Sequence, residues 1–156
     1  MKKFEFISPD DNPALIAISN PEWAKSVEEA LRSLDYKCHE VENHDECITQ
    51  YNQAQYQVVV LEDCFDGNSL EENHSLHRIQ EMAMPQRRHT VFFLISSSLQ
   101  TLNALQAFQQ SIHVIINPAE FHSLPQIILK SVSDNNLFLH NFRDMQMRIA
   151  QGKDGG

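Results

Sequence analysis

Glu62, Asp63 and Asp66 stand together where the apolar run Gln57-Val58-Val59-Val60-Leu61 stops abruptly. Carboxylates at a strand end could gather a divalent cation, or one of them could accept a phosphoryl group. Cys38, His39, His44 and Cys47 are close enough in sequence to raise zinc. Their placement argues against it: Cys38-His39 fall in a strand-like stretch, while His44 and Cys47 open the next helix. Structural cysteines and unrelated surface histidines are expected there instead. Ser96-Ser97-Ser98 could supply a nucleophile, but no Gly-x-Ser-x-Gly turn surrounds them, and helix capping accounts for them. His74 and His77 fall on an expected exposed helix and His113 opens a strand, so surface or hydrogen-bonded roles are expected. A phosphate-cradling loop needs several glycines, yet Gly67 is alone in the body and Gly152, Gly155 and Gly156 lie in the tail. No catalytic residue, metal or cofactor is assigned.

Composition narrows the classes further. The 156 residues suit one domain with a substantial core, and the 42% hydrophobic and 21% charged fractions are ordinary for a globular protein. A net charge of −9, from 21 acidic and 12 basic residues, argues against nonspecific nucleic-acid binding, which needs Lys and Arg on phosphates. Arg87-Arg88-His89 is a local basic patch that reads as a solvated loop. The apolar stretch after Met1-Lys2-Lys3 is too short for a signal peptide, and no run reaches membrane-spanning length. A cytoplasmic protein with no membrane contact is expected. Three cysteines without a Cys-x-x-Cys pair predict no disulfide framework.

The elements that must position these groups alternate along the chain. Lys2 to Ile7 alternates like a short strand or arm, and Ser8 to Pro13 breaks it. Strands are predicted at Ala14 to Ile18, Tyr36 to Val41 (less apolar, hence nearer an edge), Gln57 to Leu61, Val91 to Ile95 and Ile112 to Ile116. Asn20-Pro21 signals a helix start, followed by Trp23, Val27, Leu31 and Leu34 at helical spacing. Asn43 and Glu46 resemble a capping box for a helix through Tyr51. A third helix is predicted from Ser69 to about Met84, stopped by Pro85. A fourth is predicted after the three serines, with Leu99, Leu102, Leu105 and Phe108 as its apolar stripe. A last one starts near Ser123 and turns Leu124, Ile127, Ile128 and Val132 inward. This order predicts a doubly wound, five-stranded parallel sheet, order 2-1-3-4-5, with helices on both faces and a crevice between the first and third strands.

Residues 13 to 133 resemble the receiver domain of bacterial two-component response regulators. Pro21 to Tyr36 follows that family's first helix and second-strand entry without a gap, Gln57 to Glu62 its third strand and phosphoacceptor, and Ile115-Ile116-Asn117-Pro118 its fifth strand and Lys-Pro. The resemblance implies Mg²⁺ on an acidic cluster, an attacking aspartate and a neutralising lysine. This chain departs at each position. Ile18, Ser19 and Asn20 stand where the acidic pair belongs, Glu62 at the acceptor and Asn117 at the lysine. The hydroxyl after the fourth strand falls at Ile95 or Ser96, depending on a one-residue register, and the aromatic of the fifth strand is replaced near Val114. A one-residue shift would make Asp63 the acceptor; Glu62, Asp63 and Asp66 could hold a cation alone; and Glu62 could mimic a permanently charged acceptor. The plainest reading is a solvated acidic loop end.

The expectation is therefore a degenerate, non-catalytic pseudo-receiver that acts in signal transduction through protein contacts or self-association. The alternative is a flavodoxin-like domain binding a small molecule or nucleotide, which a polar pocket near Ser19, Glu62, Ser96 and Asn117 would support; an atypical phosphoacceptor using Glu62 or Asp63 comes last. The resemblance nominates the face of the fourth helix, fifth strand and fifth helix as the partner surface, including Phe108, Val114 and Phe121. Residues 1 to 12 are expected as an arm or short strand, and residues 134 to 156 as a helical extension and flexible tail. Phe138, Phe142, Met145 and Ile149 recur there at roughly helical spacing and predict one apolar face, packed back on the domain or on a partner.

Overall fold

Period-two alternation sorts the strand residues onto two faces, and each face finds its own helices. The computed structural model describes residues 6–8, 10–67, 72–82, 89–109 and 112–154. The strands are β1 (Asn12–Ala17), β2 (Tyr36–Glu40), β3 (Val58–Glu62), β4 (Val91–Ile95) and β5 (Val114–Ile116). The helices are α1 (Pro21–Ser33), α2 (His44–Gln53), α3 (His74–Glu81), α4 (Ala104–Gln109) and α5 (Leu124–Asp154). All strand pairs are parallel in the order β2-β1-β3-β4-β5, as the sequence predicts.

Ala14, Ile16, Val58, Val60, Val91, Phe93, Ile95 and Ile116 pack on Val27 and Leu31 of α1 and Leu124 and Ile128 of α5. Leu15, Ala17, Val59, Leu61, Phe92, Leu94 and Ile115 pack on the other face, against Cys47, Leu76, Ile79 and Ala107 of α2 to α4. Each large side chain buried this way stabilises the fold by about 1.5–3 kcal/mol. Glu62 lies in the same alternation as Val58 and Val60, so its side chain leaves the sheet on the α1 side.

Several boundaries differ from the expectation. β1 starts at Asn12 and ends at Ala17, one residue short of Ile18, because Asn12 and Pro13 pair with Tyr36 and Lys37. Residues 6–8 form no strand, and residues 1–5 lie outside the described chain. α3 starts at His74 under an Asn73 cap rather than at Ser69, and residues 68–71 and 83–88 are outside the description. Ser96 to Ser98 cap no helix. α4 is a short helix that starts at Ala104, where Asn103 accepts the Gln106 amide, because Leu102 takes φ 57° and breaks the expected stripe. Leu102 and Leu105 are exposed, and Ala107 supplies the buried contact. β5 covers Val114–Ile116, without Ile112 and His113, and a 3-10 helix, Pro118–Ser123, leads into α5.

Candidate functional site

The C-terminal ends of β1, β3, β4 and β5 converge where this fold keeps its ligands. β1 hands over through buried Ile18 to Ser19 and to Asn20, whose side chain accepts the Glu22 and Trp23 amides at the start of α1. That helix start presents further amides, and a carboxylate is the favoured partner for them. Glu62 supplies it across the β1–β3 boundary: Oε1 accepts the Ser19 amide at 2.8 Å and the Asn20 amide at 3.2 Å.

The neighbouring carboxylates turn elsewhere. The Asp63 amide extends the ladder to Ile95, and Oδ1 accepts the Cys64 amide at 2.8 Å. Asp66 sits at φ 59°, accepts the His44 amide through Oδ2 at 3.3 Å, and donates its own amide to Ser19 Oγ at 2.8 Å. Glu62 and Asp63 are each only 7% exposed, so the solvated loop end is replaced by a buried, hydrogen-bonded joint. Fully buried Asn73, a residue the sequence reading passed over, donates to both the Glu62 and Asp63 carbonyls at 2.9 and 3.0 Å and caps α3. An Asn–helix signal was present, but its reach to β3 is a tertiary contact that spacing does not encode.

On the β5 side, Asn117 gathers the loop after β4. Its Nδ2 donates to the Ser97 and Leu99 carbonyls at 3.2 and 3.0 Å, and its Oδ1 accepts the Ala119 amide. Its own amide donates to Thr101 Oγ1 at 2.7 Å. β4 ends at Ile95, so Ser96 is the first residue past the strand; it is fully buried, with its Oγ 3.1 Å from Ser98 Oγ. Nearby, a cavity of about 490 Å³ is lined by Ser19, Lys25, Glu28 and Glu40, without Glu62, Ser96 or Asn117.

The histidine–cysteine group does not assemble. Buried His39 pairs through Nδ1 with the Tyr56 hydroxyl at 2.8 Å, and buried His44 pairs with Ser75 Oγ at 2.8 Å. Both were expected at the surface. His74 and His77 are exposed on α3. Among the described residues, no group of three or more His, Cys, Asp or Glu could hold a metal ion. Burial pushes the Cys47 thiol up to about 11.

No protein family matches the chain by sequence, and no curated protein does. Solved structures do. The chemotaxis response regulator CheY4 of Vibrio cholerae aligns over 80% of this chain and 98% of its own, at 10% identity and a TM-score of 0.60. The fold is that of a receiver domain. A CheY-like receiver domain protein from Methanospirillum hungatei covers 81% of this chain and 98% of its own, at 10% identity and a TM-score of 0.63. NtrX from Brucella abortus covers 90% of this chain with 30% of its own, at 16% identity and a TM-score of 0.67. Among the described residues, no helix is long and apolar enough to cross a membrane.

Of the nominated partner surface, Val114 and Phe121 are half-buried on the α1–α5 face, and Phe121 meets Trp23 edge-on at 6.4 Å. The Phe108 and Phe142 side chains lie outside the described residues. A groove of about 440 Å³ follows the β5 edge between Leu102, Val114 and Ile127, with Lys130 and Asp134 at its side.

Proposed function

We propose that this chain is a pseudo-receiver: a non-catalytic module that acts in signalling through protein contacts, with its phosphorylation pocket rebuilt as a structural joint. One observation carries the reading. The carboxylate at the acceptor position is spent on the Ser19 and Asn20 amides at the start of α1. The donor set does not suit Mg²⁺ either, because Ile18, Ser19 and Asn20 bring no carboxylate and Glu62, Asp63 and Asp66 each face a different backbone amide. Asn117 ties two loops by hydrogen bonds where a lysine would neutralise a phosphoryl group. Receiver signalling would then reside in surfaces. The β5-edge groove and the extension from residue 134 onward are the partner faces of a unit spanning residues 13–133.

An NMR amide titration with millimolar Mg²⁺, then with beryllofluoride, tests this. Amides of Ser19, Asn20, Glu62, Asp63 and Ser96 are expected to stay in place. Saturable shifts confined to those residues would overturn the reading and restore a phosphorylation switch.

A further inference from the structure

His113 stands just before β5, yet it holds the sheet edge with both its backbone and its side chain. Its amide donates to the Phe92 carbonyl at 3.1 Å, and its ring Nδ1 accepts the Phe92 amide at 3.0 Å. The imidazole thus stands where a neighbouring strand would offer a carbonyl. β5 is three residues long and lies at the edge of the sheet, so this clasp adds to a short ladder. The ring also lies nearly flat on the Phe92 ring, with 5.9 Å between centroids and 17° between planes. Phe92 is buried, whereas His113 is exposed, so the acceptor of this bond is within reach of protons from solvent.

A backbone amide can only donate. Nδ1 must therefore carry the lone pair, which fixes the neutral ring with its proton on Nε2. A proton on Nδ1 sets N–H against N–H, and the bond to Phe92 is lost. Neighbouring charges do not decide the matter. Among the described residues, Lys130 and Asp134 of α5 line the same groove as His113 and act in opposite senses, and β4 and α4 carry no charged side chain. The Phe92 face favours a cation, but only weakly at an exposed ring. We propose that His113 is an acid-released latch: protonation of Nδ1 frees the Phe92 amide and loosens the entry of β5 from the sheet edge. The sign follows from which form is bonded. The latched ring is neutral, so the imidazolium collects in the loosened state. The latch is closed above the ordinary histidine range, near about pH 6.5, and opens as pH falls through and below it. His113 and Val114 line the β5-edge groove, so acid disturbs that groove first. Use of the latch to release a partner rests on the protein-contact reading above; the latch itself does not.

NMR on the full chain, from about pH 7.5 to about pH 5 across the histidine range, tests it. At the upper end the imidazole nitrogen shifts of His113 are expected to report a bare Nδ1 and a protonated Nε2. Protection of the Phe92 amide, taken relative to intrinsic exchange at each pH, is expected to fall roughly tenfold by the lower end, in step with His113 titration. His113→Asn sets a carbonyl oxygen where Nδ1 lies and does not titrate, so Phe92 should stay protected throughout. His113→Phe keeps the stacked ring without the acceptor, so Phe92 should show low protection throughout. A proton on Nδ1 at the upper pH, or Phe92 protection that does not follow His113, would overturn the proposal, and both are read without any variant. An acid response that persists in the Asn variant, or full protection in the Phe variant, would overturn it too. None of these outcomes touches the Mg²⁺ titration, so either reading can fail alone.

Discussion

Glutamate reaches one methylene further than aspartate, and that reach brings Glu62 Oε1 to 2.8 Å from the Ser19 amide. Glu62→Gln keeps an acceptor and should cost under about 1 kcal/mol; Glu62→Asp retreats from both amides and should cost about 1.5–3 kcal/mol, measured by urea unfolding. Placing at Asn117 the lysine that receiver domains carry should also harm. Asn117→Lys removes the acceptor for the Ala119 amide and the planar amide that bridges two carbonyls, for about 1–3 kcal/mol, with no gain in Mg²⁺ or beryllofluoride response. The buried ionisable groups set an alkaline limit. Burial raises Tyr56 to about 12, with Cys47 nearby adding to it, and raises Cys47 to about 11. Both folded values lie above the unfolded ones, so their contribution is intact below about pH 9 and is lost as pH rises through 9 to 12. The Tm should fall over that window, and fall less steeply in a Tyr56→Phe chain. Tyr56 ionising in a chain that stays fully folded would contradict it.

Elements show where a local signal sufficed and where it did not. Asn20-Pro21 and Asn43 were legible as caps because an N-cap is a bond across two or three residues, and the structure has both. The five strands and their order were legible because apolar alternation and short connections leave few topologies. α4 was misread because Leu99, Leu102 and Leu105 have helical spacing while Leu102 sits at φ 57°, where its amide donates to Ile115 at 2.9 Å. Spacing reports which residues could share a face, and it is silent on a backbone reversal between them. The Glu62 latch was illegible for a related reason: it joins residues 43 positions apart, and it exists only once β1 and β3 pair. The Leu102 conformation yields its own prediction. A bulky residue in the left-handed region costs about 1–2 kcal/mol, and Leu102 is 56% exposed, so little burial is lost with it. Leu102→Gly should therefore stabilise the chain by about 0.5–1 kcal/mol, visible as a raised urea midpoint.

At the scale of the whole molecule, the two ends of the sheet have different tasks. The C-terminal ends of the strands are closed by Glu62 and Asn117, whereas the N-terminal ends open onto a groove of about 870 Å³ between Ile7, Pro13, Val91, Val132, Leu139 and His140. α5 roofs that groove with about two turns, Val132 to His140, and then runs on, so the helix belongs to the core at its start and to the surface at its end. Removing residues 137–156 separates those tasks. Leu124, Ile128 and Val132 stay on the sheet, and the loss is the partial cover given by Leu139. Burial of one leucine sets the scale at about 1.5–3 kcal/mol, less what Leu139 already exposes. The shortened chain should keep its circular dichroism per residue in the sheet region and unfold cooperatively about 1–2 kcal/mol below the full chain. Its amide shifts should move around Pro13, Val91 and Val132 and stay fixed around Ser19, Glu62 and Asn117. Loss of cooperative folding would make the extension part of the core; shifts at Glu62 would couple the two ends of the sheet, against the separate hydrogen-bond sets of the described residues at each end.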